Sequence, residues 1–218
     1  MPVRIDYEYI EGHVPEGARV LDLGCGDGTL LARLQNEKNA DAQGIEIDEE
    51  AVRSCISRGL PVYHGDMLEG MKMFRDGEFD CVVLSQTLQQ ALKPASVVEE
   101  MLRVGKLGII SFPNFGHWAI RLRLLFAGRA PITRTLPHSW YETPNLRVLT
   151  VKDFRAFCDE RKLKVVDEMF FTPSAVRLPA FLANLFASIA IFVVKKQEKP
   201  SAFSRGNPHV QTDPGERQ

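Results

Sequence analysis

The stretch that most restricts what this chain can fold into is Arg19–Asp48, RVLDLGCGDGTLLARLQNEKNADAQGIEID. Its opening, Val20-Leu21-Asp22-Leu23, is an apolar run broken by one acid and reads as a buried parallel strand. Gly24, Gly26 and Gly28 alternate after it. Thr29 then leads into a helical pattern with Leu30, Leu31 and Leu34 on one side. Glycines at such a turn let the backbone bend sharply and let a ligand approach the main chain without a Cβ in the way. A second apolar run, Ala42 to Ile47, carries Glu46 near its end. That acid stands about 20 residues past the glycine turn, the spacing at which a carboxylate accepts hydrogen bonds from a ribose. Strand, glycine turn, helix and acid-tipped strand make half of a nucleotide-binding unit. It is not the dinucleotide fingerprint G-x-G-x-x-G, whose third glycine position is Thr29 here, nor a phosphate loop, which needs Gly-Lys-Ser/Thr. What stands is D-x-G-x-G-x-G, Asp22 through Gly28.

Similar logic carries the reading downstream. Glu49 to Arg58 places Ala51, Val52, Cys55 and Ile56 at helical spacing, and Gly59 follows at the expected stop. Pro61-Val62-Tyr63-His64 is a brief strand whose histidine reads as a satisfied side chain rather than a ligand. Asp66 lies beyond that strand's carboxyl end, in the crevice where open α/β sheets bind ligands. Phe79–Leu84 is a fully buried strand running into Ser85-Gln86-Thr87-Leu88-Gln89-Gln90, a polar loop with no charge and so no strong base. Lys93-Pro94 opens a helix whose apolar face is Val97, Val98, Met101 and Leu102. Gly108–Phe112 is the fifth strand. Five β-α alternations predict an α/β fold with a doubly wound, mostly parallel sheet. Further on, Thr150 caps a helix over Lys152–Lys162 with Phe154, Phe157 and Cys158 inward, and Leu163–Phe171 is a strand.

With 218 residues, 44% of them hydrophobic, and a net charge of −1, the chain can bury one good core. The charge argues against nucleic acid as a partner, since phosphate contacts leave a basic footprint. Cys25, Cys55, Cys81 and Cys158 are scattered, with no CxxC, which suits thiols in a reducing compartment and neither a disulfide frame nor a metal site. Met1–Gly12 is polar and acidic, unlike a secretory signal, so a cytoplasmic location is expected. A short helix over Asp6–Ile10 is expected to pack as an N-terminal arm, with Tyr7 and Tyr9 over the sheet or the cofactor entrance. His13 is expected to face solvent.

The D-x-G-x-G-x-G run matches in full, and so resembles, motif I of the class I S-adenosylmethionine-dependent methyltransferases. The resemblance implies that the loop of Gly24, Cys25, Gly26 and Gly28, with Asp22 beneath it, faces the methionine part of the cofactor. It further implies that Glu46, with Ile47 beside it, holds the ribose hydroxyls. Asp66 would bond the adenine amino group, Met67 or Leu68 would pack on the ring, and Ser85 would face the transferred methyl. Joined to SQTLQQ, SFPNFGHW and LPHSWYETPN, the motif resembles the MetW family of methionine-biosynthesis proteins from about Tyr9 to the end of the core strands. That resemblance implies S-adenosyl-L-methionine or S-adenosyl-L-homocysteine as cofactor and homoserine O-acyltransferase as partner. It also implies a seven-stranded sheet of class I methyltransferase type with a cap insertion, about 113–149, after strand 5. Leu178–Val194, nearly uncharged and followed by two lysines, is at the low limit of the roughly 17–25 residues a membrane span needs, and Pro179, Asn184 and Ser188 weaken it. The family pattern gives instead a helix to about Ala187 and a buried last strand, Ile189–Val194, which covers an otherwise unpaired edge. One domain over 1–196 and a disordered polar tail over 197–218 are expected.

Pro113–Pro144 holds both tryptophans, two histidines and four prolines, a rigid composition that suits a lid or a binding surface rather than a linker. Any base for methyl transfer is expected there: His117, His138, Tyr141 or Glu142. None forms a recognisable pair by spacing, and each has a plain packing role as its alternative. In the IRLRLLF run Ile120, Leu124 and Leu122 stand at core spacing, with Arg121 and Arg123 outward. Two readings stay open: a cofactor-binding partner subunit, or an active methyltransferase on a small-molecule acceptor. An outward basic face beside Trp118, Trp140 and Tyr141 suits the partner better than the lid.

Overall fold

A computed structural model of the chain describes residues 4–133 and 136–197. Among these, seven strands form one sheet: β1 (Arg19–Leu23), β2 (Asp41–Glu46), β3 (Val62–His64), β4 (Phe79–Ser85), β5 (Gly105–Pro113), β6 (Leu163–Phe171) and β7 (Ile189–Lys196). Their order across the sheet is β3-β2-β1-β4-β5-β7-β6. Strands β1 to β5 run parallel, and β7 is inserted antiparallel between β5 and β6. The order reverses at β1, so the carboxyl ends of β1 and β4 flank the crevice where such sheets bind ligands.

Side chains alternate across the sheet and build two cores. Leu21, Leu23, Val82, Leu84, Ile110 and Phe112 face one way, against α5 (Pro94–Val104) and α7 (Val151–Glu160). Val20, Cys81, Val83 and Ile109 face the other, against α1 (Ile5–His13) and α2 (Thr29–Lys38). By this alternation Asp22, two residues after Val20, occupies a position facing α1. The remaining helices are α3 (Glu49–Ser57), α4 (Met67–Met71), α6 (Trp118–Ala127) and α8 (Ala180–Phe186).

Local chemistry explains the boundaries. Thr150 and Asp153 form a reciprocal capping box at the start of α7, and Gly59 takes φ +70° just past α3. The apolar stretch at the C-terminal end divides as expected, into α8 and then β7, whose Ala190 to Val194 are buried. No helix among the described residues is long and apolar enough to cross a membrane. The expected tail lies, from residue 198 onward, outside the described residues.

Four expectations need correction. Ile56 is 63% exposed, because Val52 and Cys55 alone supply the buried side of α3. Leu122 and Leu124 also point outward: α6 seats on the fold only at Ile120, its one buried residue, so Arg121 and Arg123 share the outer surface with leucines. His13 is half-buried as the last residue of α1, its Nε2 3.0 Å from Asp167 on β6. Strand β5 starts three residues early, at Gly105, in register with Phe79 of β4.

Candidate functional site

The glycine loop is built by backbone conformations that side chains rarely adopt. Gly24, Gly26 and Gly28 have φ of +69°, +56° and +77°. A Cβ at Gly24 would lie 2.7 Å from Thr87 Cγ2, and one at Gly28, the N-cap of α2, 2.4 Å from Leu60 Cδ1. A Cβ at Gly26 would meet nothing within 4 Å, so this residue presents bare main chain to open space. Glu46, at the end of β2, fixes the loop from below. Its Oε2 accepts from Gly26 N at 2.8 Å, and its Oε1 from Ile47 N and Asp48 N at 2.8 and 2.9 Å. Cys25 and Cys55 flank the turn, both thiols pushed up by burial, and Cys55 Sγ donates to Gly26 O at 3.2 Å.

Between this loop and α1 lies a cavity of about 310 Å³, walled by Gly24, Cys25, Gly26 and Asp27 and by Arg4, Tyr7, Asp22, Arg33 and Ser85. Asp22 is only 2% exposed. Its Oδ1 is buried and has no hydrogen-bond partner among the described residues. Burial pushes its carboxyl up from the ordinary 3.8 to about 7; Arg4 opposes the rise, and Glu46 and Asp6 add to it. An orphaned buried carboxyl is a standing cost unless a cation or donor meets it.

The far wall comes from the N-terminal segment and was not visible in the motif. Asp6 is wholly buried. Its carboxylate accepts from Arg4 Nε and Nη2 at 3.1 and 2.7 Å, from Ser85 Oγ at 2.7 Å and from Ser111 Oγ at 2.9 Å. Arg4 Nη2 also donates to Ser85 Oγ at 2.8 Å, and the guanidinium carbon stands 4.7 Å from the centre of the Tyr7 ring. One signal was present in the sequence: Asp6 shares a helix face with Ile10, four residues on, which the fold buries.

The other named residues fall into two groups. The glycine loop, Asp22 and Ser85 meet at the cavity, with Glu46 directly under it. Asp66 ends the loop after β3 and caps α4, its Oδ1 accepting from Leu68 N and Glu69 N at 2.8 and 3.1 Å. Met67 is half-buried beside it, and Ile47 is exposed. The four residues named as bases lie elsewhere. His117 caps α6 through Nδ1, which accepts from Ala119 N at 3.3 Å, and burial lowers its pKa. His138 is exposed, Tyr141 is exposed against the edge of Trp140, and Glu142 accepts from Ser139 Oγ at 2.6 Å. None of the four lines the cavity at the glycine loop.

This geometry fits a small cation-bearing cofactor: exposed main chain at Gly26, an acid needing a positive partner, and an acid-tipped β2. The family model for "Methionine biosynthesis protein MetW" matches residues 4–194. The chain belongs to this family. A protein of Rhodopirellula baltica, "Bifunctional methionine biosynthesis protein MetXA/MetW", is 34% identical over 178 residues, 78% of this chain and 29% of its own length. A "Ubiquinone biosynthesis O-methyltransferase" of Methylococcus capsulatus is 30% identical over 148 residues, covering 65% of this chain and 61% of the relative. The chain thus spans less than two thirds of either relative. Among solved structures, a "SAM dependent methyltransferase" from Archaeoglobus fulgidus superposes with a TM-score of 0.62 over 87% of this chain and 94% of that one. At 15% identity this is a likeness of fold.

Proposed function

We propose that this MetW-family chain binds S-adenosyl-L-methionine, or S-adenosyl-L-homocysteine, at the glycine loop and serves methionine biosynthesis as a partner subunit of homoserine O-acyltransferase. The observation that carries the partner reading is the bifunctional relative, in which a MetW unit and a MetXA unit share one polypeptide and the match covers only 29% of the length. Two units joined in one chain act side by side. The companion implied by the family resemblance is the acyltransferase. The surface agrees: Phe126, Trp140 and Tyr141 are 80%, 76% and 70% exposed, and these ring types supply much of the binding energy at interfaces.

Within the site, the main chain at Gly24 to Gly28 would hold the methionine end and Glu46 the ribose, through the one Oε2 lone pair that the backbone amides leave unused. Asp66 and Met67 would meet the adenine, and Ser85 would face the sulfonium. The cofactor supplies an activated methyl group, and, as the end product of its pathway, a signal of methionine supply. Co-purification of the two proteins, with acyltransferase activity assayed plus and minus S-adenosylmethionine, tests the proposal. Full activity of the acyltransferase without this chain would refute the partner role.

A second reading is a methyltransferase acting on a small-molecule acceptor, and the likeness to the ubiquinone O-methyltransferase favours it. Methyl transfer needs chiefly positioning and exclusion of water. Turnover of labelled cofactor in the presence of candidate phenols and amines would establish it.

A further inference from the structure

A second cavity, of about 280 Å³, lies on the α5 and α7 side of the sheet. Its apolar walls are Leu88 in the turn after β4, Pro94 and Val98 on α5, Leu149, and Phe154 and Phe157 on α7. No described residue lines both this cavity and the one at the glycine loop, which faces α1 and α2. Residues 146–149 run along it as a strap. Leu146 N and Arg147 N donate to Gln89 O at 2.9 and 3.0 Å, and Leu149 O accepts from Phe115 N at 3.0 Å. Gln89 is also the polar side chain inside, only 3% exposed. Its Nε2 donates to Gln86 O at 2.7 Å, which fixes the orientation of the amide, because the reverse would set two acceptors against each other. Oε1 is thereby left buried, with no hydrogen-bond partner among the described residues. The remaining described polar side chains on the wall, Arg147 and Asp153, are exposed at the rim and already bonded, to Leu92 O and to Thr150.

An apolar chamber with one buried acceptor is the complement of an apolar molecule with one donor. A water at Oε1 would gain a single hydrogen bond among apolar walls, short of the roughly three that hold buried water. An unmet buried acceptor costs stability, so a donor brought by a ligand is favoured. The volume is about twice that of an engineered cavity that takes up benzene, enough for two fused rings. Phe154 and Phe157 offer ring surfaces to an aromatic guest. The rim carries one charge of each sign, so the entrance suits a neutral molecule. We propose that this cavity is a second ligand site, which takes a small neutral aromatic molecule of the indole type and receives its ring N–H on Gln89 Oε1. The proposal is independent of the cofactor reading above.

Indole and indene share a shape and differ in the ring N–H. Titration calorimetry of the full chain without cofactor would compare them. The wild type is expected to bind indole about tenfold tighter than indene, the scale of a hydrogen bond to an acceptor otherwise left unmet. Gln89→Leu, of similar volume and without the acceptor, is expected to bind the two alike. Ala95→Trp, whose ring would fill the chamber from the first turn of α5, is expected to bind neither, and a cooperative melt would show it folded. Should Gln89→Leu fold poorly through loss of its bond to Gln86 O, the wild-type preference for indole and its loss in Ala95→Trp together decide. No uptake of indole by the wild type overturns the proposal, as does equal affinity for the two molecules. A Gln89→Leu variant that still prefers indole, or a folded Ala95→Trp variant that still binds it, overturns it as well.

Discussion

Asp22→Asn removes a carboxyl that the fold buries in the wall of the glycine-loop cavity. In the folded protein the Asp22 carboxyl is raised from 3.8 to about 7, chiefly by burial. At about 1.4 kcal/mol per pH unit, ionising it in the folded state costs about 4 kcal/mol. Because the folded value lies above the unfolded one, the folded state holds a proton that the unfolded chain releases. The stability so gained is full below 3.8 and is lost as pH rises through about 7. Asparagine has the same shape and is neutral throughout. Urea unfolding followed by circular dichroism should therefore show the variant more stable than the wild type by about 4 kcal/mol at pH 8 and by about 2 kcal/mol at pH 5, with m unchanged. S-adenosylmethionine, a cation, should stabilise the wild type more than the variant, and its wild-type affinity should fall as pH drops below about 7. A variant no more stable at pH 8, or a gain that does not change with pH, would refute the reasoning: Asp22 would then be ionised and satisfied within the fold itself.

Glu46→Ala should weaken S-adenosylmethionine binding by more than about 1 kcal/mol and also lower the melting temperature of the free protein, because three loop amides lose their acceptor; calorimetry and thermal melts read the two effects separately. Gly26→Ala, strained at φ +56° but free of clashes, should cost about 1 kcal/mol of stability while placing a methyl group in the cavity, so binding should suffer more than folding. Truncation before Ile189 should leave no cooperative melt, since β7 is paired on both sides and each buried side chain contributes about 1.5–3 kcal/mol, whereas removal of residues 198–218 should leave the melt unchanged. Paired charge reversal at Arg121 and Arg123 should abolish activation of the acyltransferase and spare cofactor binding. Arg121 Nε also donates to Gly116 O at 2.6 Å, so Phe126→Ser, at a site without such a bond, serves as the cleaner companion in the same activation assay.

The sheet could be read from the chain wherever a single periodicity held. Val20 to Leu23, Phe79 to Leu84 and the glycines between strand and helix each allow one local structure, and the site built directly on them was readable with them. Segments whose burial is decided by distant neighbours were less so. In α6, apolar residues at 120, 122, 124, 125 and 126 encircle the helix, so no stripe says which side goes in. Only the docking of its first turn near Asn184 selects Ile120. Likewise Asp6 and Arg4 belong to no motif. Their role depends on Ser85 and Ser111, 79 and 105 residues further on from Asp6, arriving at adjacent strand ends.

That N-terminal network bears on whether the protein is a subunit or an enzyme. Ser85 and Ser111 lie at the ends of the strands β4 and β5, where a methyl acceptor would approach. Both hydroxyls are committed to Asp6, and Arg4 closes the same side. An acceptor nucleophile would have to pull α1, with its buried Asp6 carboxylate, off the Ser85 and Ser111 hydroxyls. Asp6, the acid that holds both hydroxyls, is already engaged by Arg4, Ser85 and Ser111, and His117, His138, Tyr141 and Glu142 do not line the cavity. A protein that only senses the cofactor needs no acceptor path and gains from a wall fixed in this way. The arrangement favours the partner subunit. If methyl transfer were merely blocked by α1, Asp6→Ala, with Arg4 kept in place, should switch it on in an assay with labelled cofactor and small phenols. We expect no methylated product. Its appearance would reverse the assignment and make α1 an inhibitory element of a working methyltransferase.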